Sequence, residues 1–310
     1  MFNLLKDDDL TAEQMTRVLG LAAADEPAGH ALAGRSVLLV FLERSTRTRV
    51  SLEVAVSSMG GSPVLLDNLR SRLADGETLA DTGRVMAQYT DLAFIRAYQD
   101  DIDAFAAGFG RTTVSAGSDL WHPTQILADL LTLQQEFGNL RGLPISFVGD
   151  GNDICNSVML GACALGLHVR VATPPDHRPA GFAVERARHA GELSGGSLTL
   201  LTDPAEAVSG TRAVYTDVWR SMVPDDQHEK EERFVEFADY QVNEKLFAHA
   251  DPDAVFLHCL PARRDEEVTS ALLDSSRSRV LQQARNRLRV NRALLQLLPD
   301  FAREAPHAGR

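Results

Sequence analysis

The chain has 310 residues, room for about two domains at roughly 150 residues each, and 44% of them are hydrophobic, which supplies ordinary cores and excludes a disordered chain. Lys and Arg number 31 against 43 Asp and Glu, a formal charge of −12, so binding of nucleic acid or another polyanion is disfavoured. No apolar run approaches the ~20 residues a membrane helix needs, and the opening Met1-Phe2-Asn3-Leu4-Leu5-Lys6-Asp7 lacks the basic and long apolar stretches of a secretory signal; a soluble cytoplasmic protein with no membrane or nucleic-acid partner is expected.

Thr11 with Gln14 three residues on reads as a capping box that starts the first helix. Short β-rich apolar runs then alternate with helical patterns, which is the signature of βαβ units and parallel sheets covered on both faces. The candidate strands are 36–41, 63–67, 91–97, 112–116, 144–149, 168–172, 197–202, 213–217 and 254–260. The fold class is therefore α/β, with two doubly wound parallel-sheet lobes. Residues 124–137 (TQILADLLTLQQEF) keep helical spacing without a breaker and are long enough to join the lobes. The turn residues of 138–144 place the domain boundary near 140, giving lobes of 1–140 and 141–284. A last helix over 285–298 follows the second lobe with either lobe open to it, and the tail of about 285–310 is grouped with the first lobe as the helix that packs back. No internal repeat is evident. The run 224–233 (PDDQHEKEER) reads as a solvated face; it is not a zinc motif, because H-E-x-x-H needs a histidine at 232, where the chain has Glu. Cys155, Cys163 and Cys259 form no C-x-x-C pair, so neither a disulfide frame nor a metal site is expected.

Chemistry concentrates where strands end. The strand 36–41 runs into Ser45-Thr46-Arg47-Thr48-Arg49 at the start of a helical pattern. Unpaired backbone N–H groups, hydroxyls and guanidinium forks together suit a phosphate, and three arginines, Arg44, Arg47 and Arg49, within six residues of an acidic chain strengthen that reading. Arg96 ends another strand, and His122-Pro123-Thr124-Gln125 opens the long helix. Ligands of open α/β sheets bind at such carboxyl ends, so Arg47, Thr48, Arg96, His122 and Gln125 are expected on one anion. In the second lobe Gly149-Asp150-Gly151-Asn152-Asp153 lacks the third glycine of a dinucleotide fingerprint, which argues against a nicotinamide-dependent dehydrogenase. Asp217-Val218-Trp219-Arg220-Ser221-Met222 and His258-Cys259-Leu260-Pro261 also follow strands. Taken singly, Asp217 reads equally as a turn residue and Cys259 as packing.

Together, Ser45–Arg49, His122–Gln125, Gly149–Asp153, Asp217–Met222 and His258–Pro261 resemble, in order, the motifs of the aspartate/ornithine carbamoyltransferase family. D-x-x-x-S-M and H-C-L-P point to its ornithine branch. The resemblance implies a first lobe that binds carbamoyl phosphate, with Ser45, Thr46, Arg47 and Thr48 on the phosphate, Arg96, His122, Gln125 and Thr48 on the carbamoyl group, and Arg287 as a late donor-binding arginine. It implies acceptor binding through Asp153, Asp217, Ser221 and Met222, with Cys259 and Leu260 over the reacting atoms. Arg96, His122, Asp217 and Cys259 would carry the catalysis, with no metal, nucleotide or other cofactor. The expected reaction is carbamoyl transfer to the side-chain amine of ornithine, giving citrulline and phosphate for arginine biosynthesis, by a homotrimer or a multiple of it. Asp153 stands where the ornithine enzymes have Asn, and Val223, Arg263, Arg72 and Ala116 also depart from the pattern. The alternatives are another amine acceptor, such as 2,3-diaminopropionate, and a non-catalytic paralogue that only binds phosphate ligands.

Overall fold

A computed structural model describes residues 2–24, 29–67, 76–219 and 233–304. The chain divides into two compact units, 1–128 with 286–310, and 129–285. The first unit begins with helix α1 (Ala12–Ala24), opened by the reciprocal bonds of Thr11 and Gln14. Strands β1 (Ser36–Phe41), β2 (Ser62–Asp67), β3 (Leu92–Arg96) and β4 (Thr113–Ser115) form a wholly parallel sheet in the order β2-β1-β3-β4. β1 is a continuous apolar run because it is buried on both faces. Helices α2 (Thr46–Ser58), α3 (Leu79–Met86) and α4 (Gln99–Phe109) cover the sheet. Leu38, Val40, Ile95, Ile102, Phe105 and Phe109 share one side of its core. Because the chain goes from β1 outward to β2 and returns to β3 on β1's other side, the topological switch point lies at the carboxyl ends of β1 and β3, where open α/β sheets leave a crevice.

In the second unit β5 (Pro144–Val148), β6 (His168–Ala172), β7 (Ser197–Leu201), β8 (Ala213–Tyr215) and β9 (Val255–Leu257) form a parallel sheet in the order β7-β6-β5-β8-β9. The switch point is thus between β5 and β8. Helices α6 (Asp153–Ala164), α7 (Gly181–Ser194) and α8 (Pro204–Val208), with short turns α9 (Glu244–Phe247) and α10 (Ser270–Leu273), complete the unit.

All nine expected strands are present, so the α/β class with two parallel sheets stands. β8 and β9 stop short of the expected ends at 217 and 260, because His258 gives its backbone N–H to the Gln283 side chain and leaves the ladder. The helix α5 (Pro123–Phe137) spans the expected segment, whereas α11 (Val280–Glu304) begins and ends beyond 285–298. The units divide inside these helices, at 128/129 and 285/286. The reason lies at Asp129, which accepts the Tyr215 hydroxyl at 3.0 Å and Gln283 Nε2 at 2.8 Å and so belongs with the second unit's core. The later part of α11 returns to the first unit, with Phe301 edge-on to Phe2 at 5.6 Å and Arg292 donating to Ser58. Among the described residues no helix is long and apolar enough to cross a membrane.

Candidate active site

In the first unit, Ser45 is the N-cap of α2, with extended backbone and no side-chain capping bond, and the first turn of the helix holds no acidic residue. Its positive end and hydroxyls are therefore suited to an anion. Two other elements converge on that end. Leu42 and Glu43 donate their backbone N–H groups to the Arg96 carbonyl, tying the β1–α2 turn to the end of β3. Arg287 of α11 is buried, and its guanidinium forks, Nη2 to Thr48 Oγ1 at 2.8 Å and Nη1 to Gln125 Oε1 at 2.7 Å. Thr48, Gln125 and Arg287 are thereby fixed as one hydrogen-bonded group joining α2, α5 and α11.

His122 is buried just before α5. Arg96 Nη1 lies 3.3 Å from His122 Nε2 and 3.3 Å from the Ala116 carbonyl. A guanidinium has donors only, so Nε2 accepts in this contact and the ring proton sits on Nδ1, 3.5 Å from Thr124 Oγ1. Burial first, then the charges of Arg287 and Arg96, hold the imidazole pKa well below its ordinary 6.5. His122 is thus a neutral residue that orients Arg96. An unfolded chain takes up the His122 proton below pH 6.5 and the folded one does not until a lower pH, so stability falls as pH falls through that window. We expect the urea midpoint to drop between pH 7 and 5 less steeply in His122→Gln than in the wild type; parallel slopes would refute this.

Gly117 makes the Arg96–His122 contact feasible. It has φ +115°, and a Cβ there would run into Arg96 Nη1 and meet His122 Nε2 at 3.0 Å. This glycine directly follows Ala116, one of the departures from the family pattern. Of the three arginines, Arg47 is half-buried, but Arg44 is exposed and Arg49 is exposed and paired with Glu53 at 2.9 Å, one turn along the helix. The arginine cluster therefore contributes one inward candidate, Arg47, with Arg287 supplying the second from far along the chain.

The second unit assembles its site at the ends of β5, β8 and β9. Asn152 caps α6 by accepting Cys155 N–H at 3.0 Å, and its Nδ2 donates to Asp217 Oδ2 at 2.9 Å. Asp217 is buried, and its Oδ1 accepts the Cys259 thiol at 3.0 Å. Burial, the Asp217 charge and the bond to it push the Cys259 pKa well above 9.0, with Asp129 and Asp153 adding to the rise. Cys259 is therefore a protonated S–H donor and cannot serve as a thiolate or a base at neutral pH. Asp153, the first residue of α6, is also buried. Gly151 lets the 177–179 segment pack on this turn, since a Cβ would strike the backbone of Arg178 and Pro179. Its absence of a side chain serves packing and gives no dinucleotide signal. Ser221, Met222, Val223 and Arg72, together with 224–232 of the charge run, lie outside the described residues.

After β9, His258 donates through Nε2 to Glu267 Oε1 at 3.0 Å and accepts Leu260 N–H on Nδ1 at 2.9 Å. Leu260 takes a φ of 60° in the same turn. Asp217, His258 and Cys259 offer ligand atoms within 4.8 Å of one another, yet both imidazole nitrogens are spent inside the loop, so His258 fits a structural role better than a metal ligand. Asn152 and Glu267 were not read from the sequence as site residues. Asn152 carried a helix-start signal, whereas Glu267 carried none.

Residues 3–135 match the family model described as the carbamoyl-P binding domain of aspartate/ornithine carbamoyltransferase, and residues 141–298 match its Asp/Orn binding domain. Among curated proteins, an ornithine carbamoyltransferase of Parafrankia sp. (strain EAN1pec) is 41% identical over 306 residues, covering 96% of each chain. One from Thermosynechococcus vestitus is 43% identical over 297 residues, covering 94% of each. The solved ornithine carbamoyltransferase from Pyrococcus furiosus aligns with a TM-score of 0.91 at 39% identity, over 95% of this chain and 96% of that one. With both halves matched in order, and with close relatives along nearly its whole length, this chain belongs to the aspartate/ornithine carbamoyltransferase family.

Proposed function

We propose that this protein transfers the carbamoyl group of carbamoyl phosphate to the side-chain amine of ornithine, giving citrulline and phosphate. The observation that carries this reading is the buried Thr48–Gln125–Arg287 group at the start of α2, joined by Arg96 on His122: a set of donors converging where an acyl phosphate and a developing oxyanion need them. Ser45, Thr46, Arg47 and Thr48, with the α2 N-terminus, take the phosphate. Arg96, held by His122, joins Thr48, Gln125 and Arg287 on the carbamoyl oxygen and its neighbours. When the amine adds to the carbamoyl carbon, negative charge grows on that oxygen, and the phosphate leaves toward the arginines.

The acceptor amine has to shed its proton. For a pKa near ~10.4, as in Lys, neutralisation at pH 7 costs about 4.6 kcal/mol. Asp217 is the group we assign to orient the ammonium and assist the proton's departure, while the Cys259 thiol holds that carboxylate from one side and Asn152 from the other. Leu260 is assigned to the reacting end and Ser221 and Met222 to the acceptor's amino-acid end. This assigns the first unit to the donor and the second to the acceptor. A cytoplasmic location agrees with three free thiols. A homotrimer, or a multiple of it, agrees with exposed Val50 and Val54 on α2 and Val64 on the edge strand β2, apolar surface of the kind subunits cover; the mass in solution tests it.

A second acceptor reading rests on Asp153, a buried carboxylate that would repel an acceptor's own carboxylate; it is an amine with a different reach, such as 2,3-diaminopropionate. The test is phosphate release and product mass with ornithine, lysine, 2,4-diaminobutyrate, 2,3-diaminopropionate, putrescine and aspartate. Citrulline formed with the highest kcat/KM supports the first reading, and preference for another amine replaces it with the second. Silence across the panel, with carbamoyl phosphate still bound, leaves a binding protein. Asp153→Asn is expected to raise kcat/KM for ornithine about tenfold, the scale of one like-charge contact removed from a partly buried site. An unchanged value would show that Asp153 does not set acceptor choice.

A further inference from the structure

Behind the acceptor residues stands a second layer of charged groups. Asp150, in the turn between β5 and α6, is largely buried, and its Oδ2 accepts Arg233 Nη1 at 2.9 Å. The same nitrogen donates to the backbone carbonyl of Trp219. Arg233 also lies 5.9 Å from the Phe237 ring, against which Trp219 stacks at 5.4 Å and 28°. From the other side His177 places Nδ1 3.9 Å from Asp150 and Nε2 2.8 Å from Glu236 Oε2, with its ring 4.7 Å from Phe237. One guanidinium therefore ties together the β5–α6 turn, the chain leaving β8, and the 233–237 segment.

These ties lead to Asp217 by two short routes. Asn152, two residues beyond Asp150, donates directly to Asp217, and Trp219 lies two residues beyond Asp217 itself. We propose that Arg233, clasping Asp150 and the Trp219 carbonyl, is a positioning residue for the acceptor: it sets the Asn152–Asp217–Cys259 geometry that receives the amine. Arg233 acts through these groups. Removing it leaves Asp150 buried near Asp217 with no arginine against it, so the two carboxylates repel, the turn shifts, and Asn152 loses its aim at Asp217. The donor residues belong to the first unit and keep all of their bonds. This inference rests on the proposed carbamoyl transfer to ornithine.

The experiment is steady-state kinetics of Arg233→Ala, Arg233→Lys and Asp150→Asn with both substrates varied. In Arg233→Ala the KM for ornithine is expected to rise about tenfold or more, with kcat within about threefold and the KM for carbamoyl phosphate within about twofold of wild type. Arg233→Lys should recover most of the loss, because both bonds leave from one nitrogen, which an ammonium can copy. Asp150→Asn should shift the ornithine KM in the same direction by less, and it carries the test if Arg233→Ala does not fold. Loss of kcat at unchanged ornithine KM, an equal rise in both KM values, or no recovery by lysine overturns the clasp. Wild-type protein that makes no citrulline overturns the functional reading instead; citrulline from wild type with an unaltered ornithine KM in Arg233→Ala overturns the clasp alone.

Discussion

Arg287→Ala is expected to raise the carbamoyl phosphate concentration needed for half-saturation by about a hundredfold or more. Two effects add. The substitution removes a buried cation from the donor site, and truncating a buried, hydrogen-bonded charge costs about 2–5 kcal/mol. It also strips Gln125 Oε1 and Thr48 Oγ1 of the guanidinium donors at 2.7 and 2.8 Å, so the pieces of the site lose their common brace. Arg287→Lys should rescue little, since one ammonium on a flexible stem cannot reproduce a fork whose two nitrogens point at two helices. Initial-rate measurements with carbamoyl phosphate varied at saturating acceptor decide the matter: a half-saturation value within threefold of wild type would remove Arg287 from the donor site. A further signature is available in His122, whose low pKa is held down in part by Arg287; without that charge it should move upward.

Asp217→Asn should lower kcat/KM for the acceptor by about a thousandfold, within the range expected when a proton-handling group is lost. The amide cannot receive the ammonium proton, and it cannot accept the Asn152 amide and the Cys259 thiol together as the carboxylate does. The thiol reports the change independently of turnover. Asp217 is the second-largest influence raising the Cys259 pKa, after burial, so the pH at which Cys259 begins to react with an alkylating reagent should fall in the variant. Cys155 is fully buried and Cys163 is pushed up to about 12, which leaves Cys259 as the thiol whose profile moves. Wild-type activity in Asp217→Asn, or an unmoved alkylation profile, would detach this carboxylate from both the acceptor and the thiol.

The sheets were legible because their strands carry the signal in each residue's own character. Runs such as SVLLVF and PISFV are apolar but for one serine each, bounded by turn residues, and a buried parallel strand demands no more. The motifs Ser45–Arg49 and His122–Gln125 were legible for a related reason: each is a local strand-to-helix turn, and backbone position alone brings it to the carboxyl edge. What local pattern does not show depends on partners distant in sequence. Arg287, marked only through the family resemblance, meets Thr48 across 239 positions, and in isolation its helix reads as surface. Arg233 sits at the end of a charge run whose ordinary meaning is solvation, yet it is bound to Asp150, 83 positions away. The division inside α5 was hidden too, because an uninterrupted helical pattern says nothing about which sheet each of its turns packs against.

Gly117 has no group that can bind, donate or withdraw a proton. A methyl at that position would nonetheless occupy the space taken by Arg96 Nη1. Alanine, ordinarily the mildest of replacements, should therefore act there as a poison to turnover, and in saturation mutagenesis position 117 should rank with Arg96 itself in intolerance. The constraint at such a place falls on volume and not on functional groups, so a survey of reactive side chains alone would miss it.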